Sequence, residues 1–330
     1  MSLVKRSVSV VLFLLVVGCS VWVWANRQYV QDWHVVQSYT PTSEIAAIAG
    51  RAGMNEKGRF LFYASTPILS EADDFNQQCT RREATSAILG CYNGQAIYLY
   101  RIDNPELDGI KEVTAAHEML HAAWDRLSDT EQGRIEQHLE QVYTRIKTDE
   151  LEERMAYYER QQPGERANEL HSILATEVVE LDDVLEEYYR QYFVDRQIVV
   201  ALHAKYESVF SALKQQSEQL RQELEEILRV LNADIATYNA AVTALEAEIT
   251  AHNNRLHTID TTNQAAVNAY NAAQVSLTAR QAQLDRDSAA LDRRQNEYQQ
   301  KVQAYNDLTV RSETLTNSMD SLKTPPVVTE

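Results

Sequence analysis

Apolar positions recur along this 330-residue chain in several distinct registers, and each register predicts a different element. From Leu220 through Leu224, Ile227, Leu231, Ile235, Tyr238 and Val242, then on to Leu245, Ile249, His252, Leu256 and Ile259, the steps alternate between three and four with one stutter. That spacing is a coiled-coil seam. Beyond it Tyr270, Leu277, Leu284, Leu291, Tyr298 and Tyr305 recur every seven residues, with Gln274, Gln281, Ser288 and Gln295 at the partner positions. The second seam is therefore the wetter one. The polar stretch from His252 to Asn263 divides the coil into two arms of about 60 residues each, on the order of 80 Å at the helical rise. Equal arms favour an antiparallel hairpin over a single long oligomerising helix.

The first half of the chain reads differently. Thr42 or Ser43 caps a small helix bearing Ile45, Ala49 and Ala52, closed by Gly53. Residues 26–40 read as a short tether, Arg59 to Ser65 (RFLFYAS) as a buried strand stopped by Pro67, and residues 70–86 as irregular. Two apolar runs, Ile88–Cys91 and Ala96–Ile102, flank Tyr92-Asn93-Gly94-Gln95, a hairpin signal. A helix then starts near Asp108 or Gly109, with Ile110, Val113, Leu120 and Trp124 on its buried side. Ser128-Asp129-Thr130-Glu131 is a capping box opening a helix with Ile135, Leu139, Val142 and Ile146 on one face. A charged helix over 150–161 and a Pro163-Gly164 turn follow. After Gly164 the chain has no glycine, and after Pro163 no proline until Pro325, so the remainder is mostly helix. Residues 178–205 predict a helix pair whose Tyr188, Tyr189, Tyr192 and Phe193 form core.

These elements predict an α+β, mostly α chain: a small domain with a short β-sheet, then a long helical coiled-coil hairpin. The expected divisions are a membrane anchor or signal segment over 1–25, that small domain over 26–205, the coil over 206–323 and a frayed tail over 324–330. Lys5 and Arg6 precede an uncharged, mainly apolar run from Ser7 to Ala25, long enough to span a bilayer with the N-terminus inside. A lipoprotein-type Val16-Val17-Gly18-Cys19 and a signal peptide ending at Ala25 are the rivals. All three readings put the body outside the cytoplasm, where Cys79 and Cys91 are expected to form a disulfide.

With 31 Lys plus Arg against 48 Asp plus Glu, the net charge of −17 argues against nucleic-acid binding. Candidate chemistry lies in the helix after the sheet. His117-Glu118-Met119-Leu120-His121 reads HExxH, which sets two imidazoles on one helix face, one turn apart. Such a pair can share a Zn²⁺ ion, with Glu118 beside it to take the proton of an attacking water. The alanines on either side, Ala115, Ala116, Ala122 and Ala123, leave room for approach.

Asn168-Glu169-Leu170-His171-Ser172 then reads NExxS. HExxH followed by NExxS resembles the gluzincin metallopeptidases, the thermolysin-like group, over about 70 residues up to Glu177. The resemblance implies a zincin-like domain with one zinc ion, His117, His121 and Glu169 as its ligands, and Asn168 and Ser172 as supporting neighbours. It also has departures. The gap from His121 to Glu169 is longer than in thermolysin, and Ile173 stands where that group has an aspartate bonded to the first histidine. Asp125 is the substitute candidate for that outer contact. Glu177, two turns on, is the rival third ligand, and His171 is a third choice or an oxyanion donor. Tyr157 and Tyr158 are further donor candidates, read more simply as helix packing.

The expected function is a membrane-anchored, extracytoplasmic zinc metallopeptidase acting on a peptide or protein substrate laid along the edge of the small sheet. The competing expectation is a cell-envelope scaffold in which the coil binds a protein partner or a second copy and the metal site is structural or vestigial.

Overall fold

A computed structural model describes residues 2–80 and 87–323, with side chains from residue 14 onward. The chain divides into two compact units, residues 1–210 with 314–330, and residues 211–313. It is mostly helical, with one small sheet and a long helical hairpin. The expected tail over 324–330 lies outside the described residues.

The first unit begins with α1 (Ser2–Ala25) and α2 (Arg27–Ser38). The apolar run from Ser7 falls in α1, and the side chains of Ser7 to Phe13 lie outside those described. Among the described residues no helix is long and apolar enough to cross a membrane. Residues 26–40 are not a tether. Most of them form α2, whose Asp32 is 4% exposed and receives Arg126 Nε and Nη2 at 2.8 Å each. That two-pronged pair fastens α2 to the chain just past the HExxH helix.

Thr42 caps α3 (Ser43–Arg51), as expected, and Asn55 caps α4 (Glu56–Ala64) by accepting from Gly58 N at 3.0 Å. The RFLFYAS strand is thereby overturned, because these residues form α4. An apolar run buried on several sides carries no periodicity of its own, and the Asn55 cap decides in favour of helix. A strand does follow at β1 (Ile68–Ser70), and α5 (Ala72–Gln78) replaces the irregular stretch expected there. Residues 81–86 are outside the described set.

β2 (Gly90–Tyr92) and β3 (Ile97–Tyr100) form the expected hairpin, and β1 pairs parallel to β3, giving the order β1-β3-β2. The sheet is sandwiched. Ile97 and Leu99 are fully buried in the core shared with α6 (Ile110–Trp124), while Tyr100 meets Phe75 of α5 on the other face, ring centroids 5.6 Å apart. The Cys79–Cys91 disulfide joins the end of α5 to the middle of β2, with Cα atoms 5.8 Å apart.

The capping box at Ser128 and Glu131 opens α7 (Asp129–Ile146), whose Ile135, Leu139 and Val142 are buried. α8 (Asp149–Gln161), α9 (Arg166–Glu177) and α10 (Asp183–Tyr189) complete the unit with the start of α11 (Gln197–Arg255). Tyr188, Tyr189, Tyr192 and Phe193 are core, as their spacing predicted. Arg196, 4% exposed, donates to the carbonyls of Ala175, Val178 and Val179 and pairs with Glu186, closing the end of α9. Gly109, at φ +106°, turns the chain into α6, and a Cβ there would lie 3.0 Å from Leu202 of α11. α11 therefore starts at Gln197 within the first unit, and its residues from Ser211 onward belong to the second.

In the second unit α11 and α12 (Gln264–Ser318) run antiparallel, as cross-pairs show: Glu223 with Lys301, Asp234 with Arg294, Glu248 with Arg280. Partners fall along one helix as they rise along the other. Leu231, Leu245 and Leu277 are buried in the seam, and His252 stacks on Tyr270 at 4.0 Å. Tyr270, Tyr298 and Tyr305 are half-buried, whereas of the expected partner positions Ser288 is half-buried and Gln274, Gln281 and Gln295 are exposed.

Candidate metal centre

α6 is a helix because an apolar face at helical spacing meets the sheet on one side and α9 on the other, burying Met119, Leu120, Ala115, Ala116, Ala122 and Ala123. The same turn spacing carries His117 and His121 along its remaining face, their rings edge-to-face at 4.7 Å. α9 lies against α6 and brings Glu169 to both. His117 Nε2 is 3.7 Å from Glu169 Oε2, and His121 Nε2 is 3.9 Å from Oε1. One ligand atom from each of the three residues lies within 4.8 Å of the others.

The protonation pattern of this cluster follows from its outer contacts. Asn168 Nδ2 donates to Glu165 Oε2 at 2.9 Å, which turns Asn168 Oδ1 toward His121 Nδ1, also at 2.9 Å. An amide oxygen only accepts, so His121 Nδ1 carries a proton and donates it to Asn168, which leaves Nε2 as the nitrogen directed at Glu169. Ser172 Oγ stands 3.4 Å from the same Nδ1. Glu169 is 4% exposed, and its Oε2 is buried without a hydrogen-bond partner. A buried, unpaired carboxylate oxygen beside two imidazoles is a donor set that a divalent cation satisfies, and N₂O suits zinc.

Charge shapes the cluster further. Burial works against the charged form of Glu169, yet His117, His121 and Arg154 outweigh it and hold its carboxyl below the usual range. Burial likewise opposes protonation of His117, and Glu169, Glu118 and Glu177 together raise it. Glu118, 6% exposed, is pushed up by burial, with the two histidines and the Tyr92 amide pulling the other way.

Glu118 sits between α6 and the sheet edge. Among the described residues β2 pairs with β3 alone, so the backbone groups of Gly90 and Tyr92 face outward, and the Tyr92 N–H donates to the Glu118 carboxylate. A Cβ at Gly90 would lie 2.6 Å from Thr114 Cγ2 and 3.0 Å from Glu118 Cγ. Glycine is what lets the strand approach this closely.

The other candidates fall elsewhere. Glu177 is gripped by Arg154, Nη2 to Oε2 at 2.6 Å and Nη1 to Oε1 at 3.2 Å, with His203 Nε2 at 3.7 Å. His171 is fully buried, its Nε2 at 2.9 Å from Tyr188 Oη and its ring against Trp124. Burial lowers its pKa far below the ordinary value, so it is a neutral core residue. The outer contact that is seen joins Asn168 to the second histidine, His121, and not Asp125 to the first. Tyr158 is half-buried beside the cluster, and burial with the nearby Glu169 raises its hydroxyl pKa; Tyr157 stacks edge-on against it at 5.6 Å.

Two features escaped the sequence. The Arg154–Glu177 pair joins residues 23 apart on different helices, and an acidic helix gives no sign of which glutamate is neutralised. The Tyr92 amide on Glu118 is a backbone contact and leaves no trace in residue type. No protein family, no curated protein and no solved structure matches this chain.

Proposed function

We propose that this protein is a zinc-dependent metallopeptidase in which His117, His121 and Glu169 hold the ion and Glu118 is the general base. The observation that carries this reading is the convergence of His117 Nε2 and His121 Nε2 on the buried carboxylate of Glu169, with His121 Nδ1 held by Asn168. When bound, zinc would supply a Lewis acid for the scissile carbonyl and lower the pKa of a water towards neutrality.

The protein's own residues do the rest. Asn168 fixes the His121 ring and its tautomer. Burial raises the proton affinity of Glu118, which suits a carboxylate that takes a proton from water and returns it to the leaving amine. The Tyr92 amide steadies one carboxylate oxygen, and the outward backbone groups of β2 offer an edge for an extended peptide. A structural zinc site needs four protein ligands and no glutamate beside the first histidine, so Glu118 favours catalysis over the scaffold alternative. The hairpin supports an added role in gathering a protein partner or a second copy.

The Cys79–Cys91 bridge supports a location outside the cytoplasm, since disulfides persist in oxidising compartments. We assign membrane attachment to the N-terminal segment on the charge pattern of Lys5 and Arg6 before the apolar run.

The test uses the full chain loaded with zinc and an unfolded protein as substrate. Glu118→Gln keeps its zinc and loses cleavage by at least about a hundredfold. If the Gln variant cleaves as well as the parent, the mechanism is wrong.

A further inference from the structure

Strand β2 is poorly supported for a strand that holds a reactive carboxylate. It has three residues, sits at the sheet edge and pairs with a single neighbour. Toward α6 it presents Gly90, which has no side chain to pack. A strand of this kind needs an external hold to keep one geometry.

That hold comes from the opposite face. Cys91 is bonded to Cys79, the residue that closes α5. α5 is only seven residues long, too short to persist without tertiary contacts. Fully buried Phe75 anchors it on Tyr100. Its second anchor is distant in sequence. Asn76 Nδ2 donates to the Ser321 carbonyl at 3.1 Å, and Ser321 Oγ donates to Asn76 Oδ1 at 2.6 Å. Ser321 is 5% exposed, Asp320 6% and Leu315 1%, so the chain leaving α12 is seated in the first unit.

We propose that Ser321 and Asn76, acting through the Cys79–Cys91 bridge, are positioning residues for Glu118. The returning end of the hairpin braces α5, α5 holds Cys79, the bridge holds Cys91, and the Tyr92 amide next to it fixes the Glu118 carboxylate. The assignment rests on the peptidase reading for the meaning of Glu118, though the brace itself does not. It gives the carboxy-terminal end of the hairpin a task in the unit that carries the metal cluster.

The experiment is backbone hydrogen exchange on the full-length protein, comparing the parent with Ser321→Ala, Asn76→Ala and the Cys79→Ser/Cys91→Ser pair. The amides of Cys91 and Tyr92 should exchange about tenfold faster in all three, with α6 and α9 unchanged. Affinity for zinc alone should stay within about twofold, and kcat on a peptide should fall about fivefold at constant KM. Unchanged exchange in β2, or an equal rise across α6 and α9, overturns the proposal. If the parent cleaves no peptide, the peptidase reading fails while the exchange pattern still decides the brace.

Discussion

His121 Nδ1 lies 2.9 Å from Asn168 Oδ1, and Asn168 is itself turned by Glu165, so a three-residue relay sets which nitrogen of His121 is free. Outer contacts of this type typically govern metal affinity by 10- to 100-fold. Asn168→Ala is therefore expected to weaken zinc binding by about 10- to 100-fold. Asn168→Asp, which keeps an acceptor for the His121 proton, should lose less. Competition with a chromogenic chelator reads both.

The two glutamates of α9 should separate cleanly. Glu169→Gln removes the buried carboxylate facing both histidines and should abolish tight zinc binding. Glu177→Gln should keep it, since Glu177 is engaged by Arg154. Its cost is to stability, about 1 kcal/mol because the Arg154 side chain is 40% exposed. Metal content and thermal melts of the two variants give the answer, and loss of zinc in both would reverse the ligand assignment.

At Gly90 even one methyl group is too much. Gly90→Ala would bring a Cβ to 2.6 Å from Thr114 Cγ2 and 3.1 Å from Glu118 Oε1, so β2 or Glu118 must move. Cleavage should fall by about tenfold or more while zinc is retained, because neither histidine nor Glu169 is touched. Thr114→Ser beside it, which removes the obstructing methyl, should recover part of the loss. Steady-state kinetics of the single and double variants measure this.

Acid should weaken the start of α7 in a predictable direction. Hydrogen bonds from the Ser128 side chain and backbone hold the Glu131 carboxyl below its ordinary value. A carboxyl depressed in the folded state stabilises it above the unfolded-state pKa, and that contribution disappears as pH falls through the folded-state value. Ser128→Ala should cost about 1 kcal/mol at neutral pH. The difference from the parent should shrink as pH drops below about 4, the unfolded glutamate range. Urea melts of parent and variant from about pH 3 to about pH 7 check this, and a difference that stays constant over that range would mean that the Glu131 charge plays no part.

Much was legible along the chain because it depends on local spacing. The seven-residue repeats of the hairpin, the Asn93-Gly94 turn, the Ser128–Glu131 box and the HExxH face are all written within a few residues, where helix and strand periods act directly. So is the expectation that His117, Glu118 and His121 share one side of a helix. RFLFYAS reads as a strand because a mainly apolar run buried on several sides shows no clear period, and its helix is decided by Asn55 upstream and by packing against neighbouring elements.

What only the tertiary structure decided is everything that needs two distant segments to meet. Glu169 and Glu177 are equivalent on an acidic helix until α9 packs on α6 and Arg154 claims the second. Asn168 becomes the partner of His121, Asp32 the partner of Arg126 and Ser321 the partner of Asn76 only once residues 47, 94 and 245 positions apart are in contact. The sequence by itself determined a two-histidine face with a glutamate beside it, because a helical turn is a local fact. Which carboxylate completes that face, and which backbone amide holds Glu118, are facts of packing.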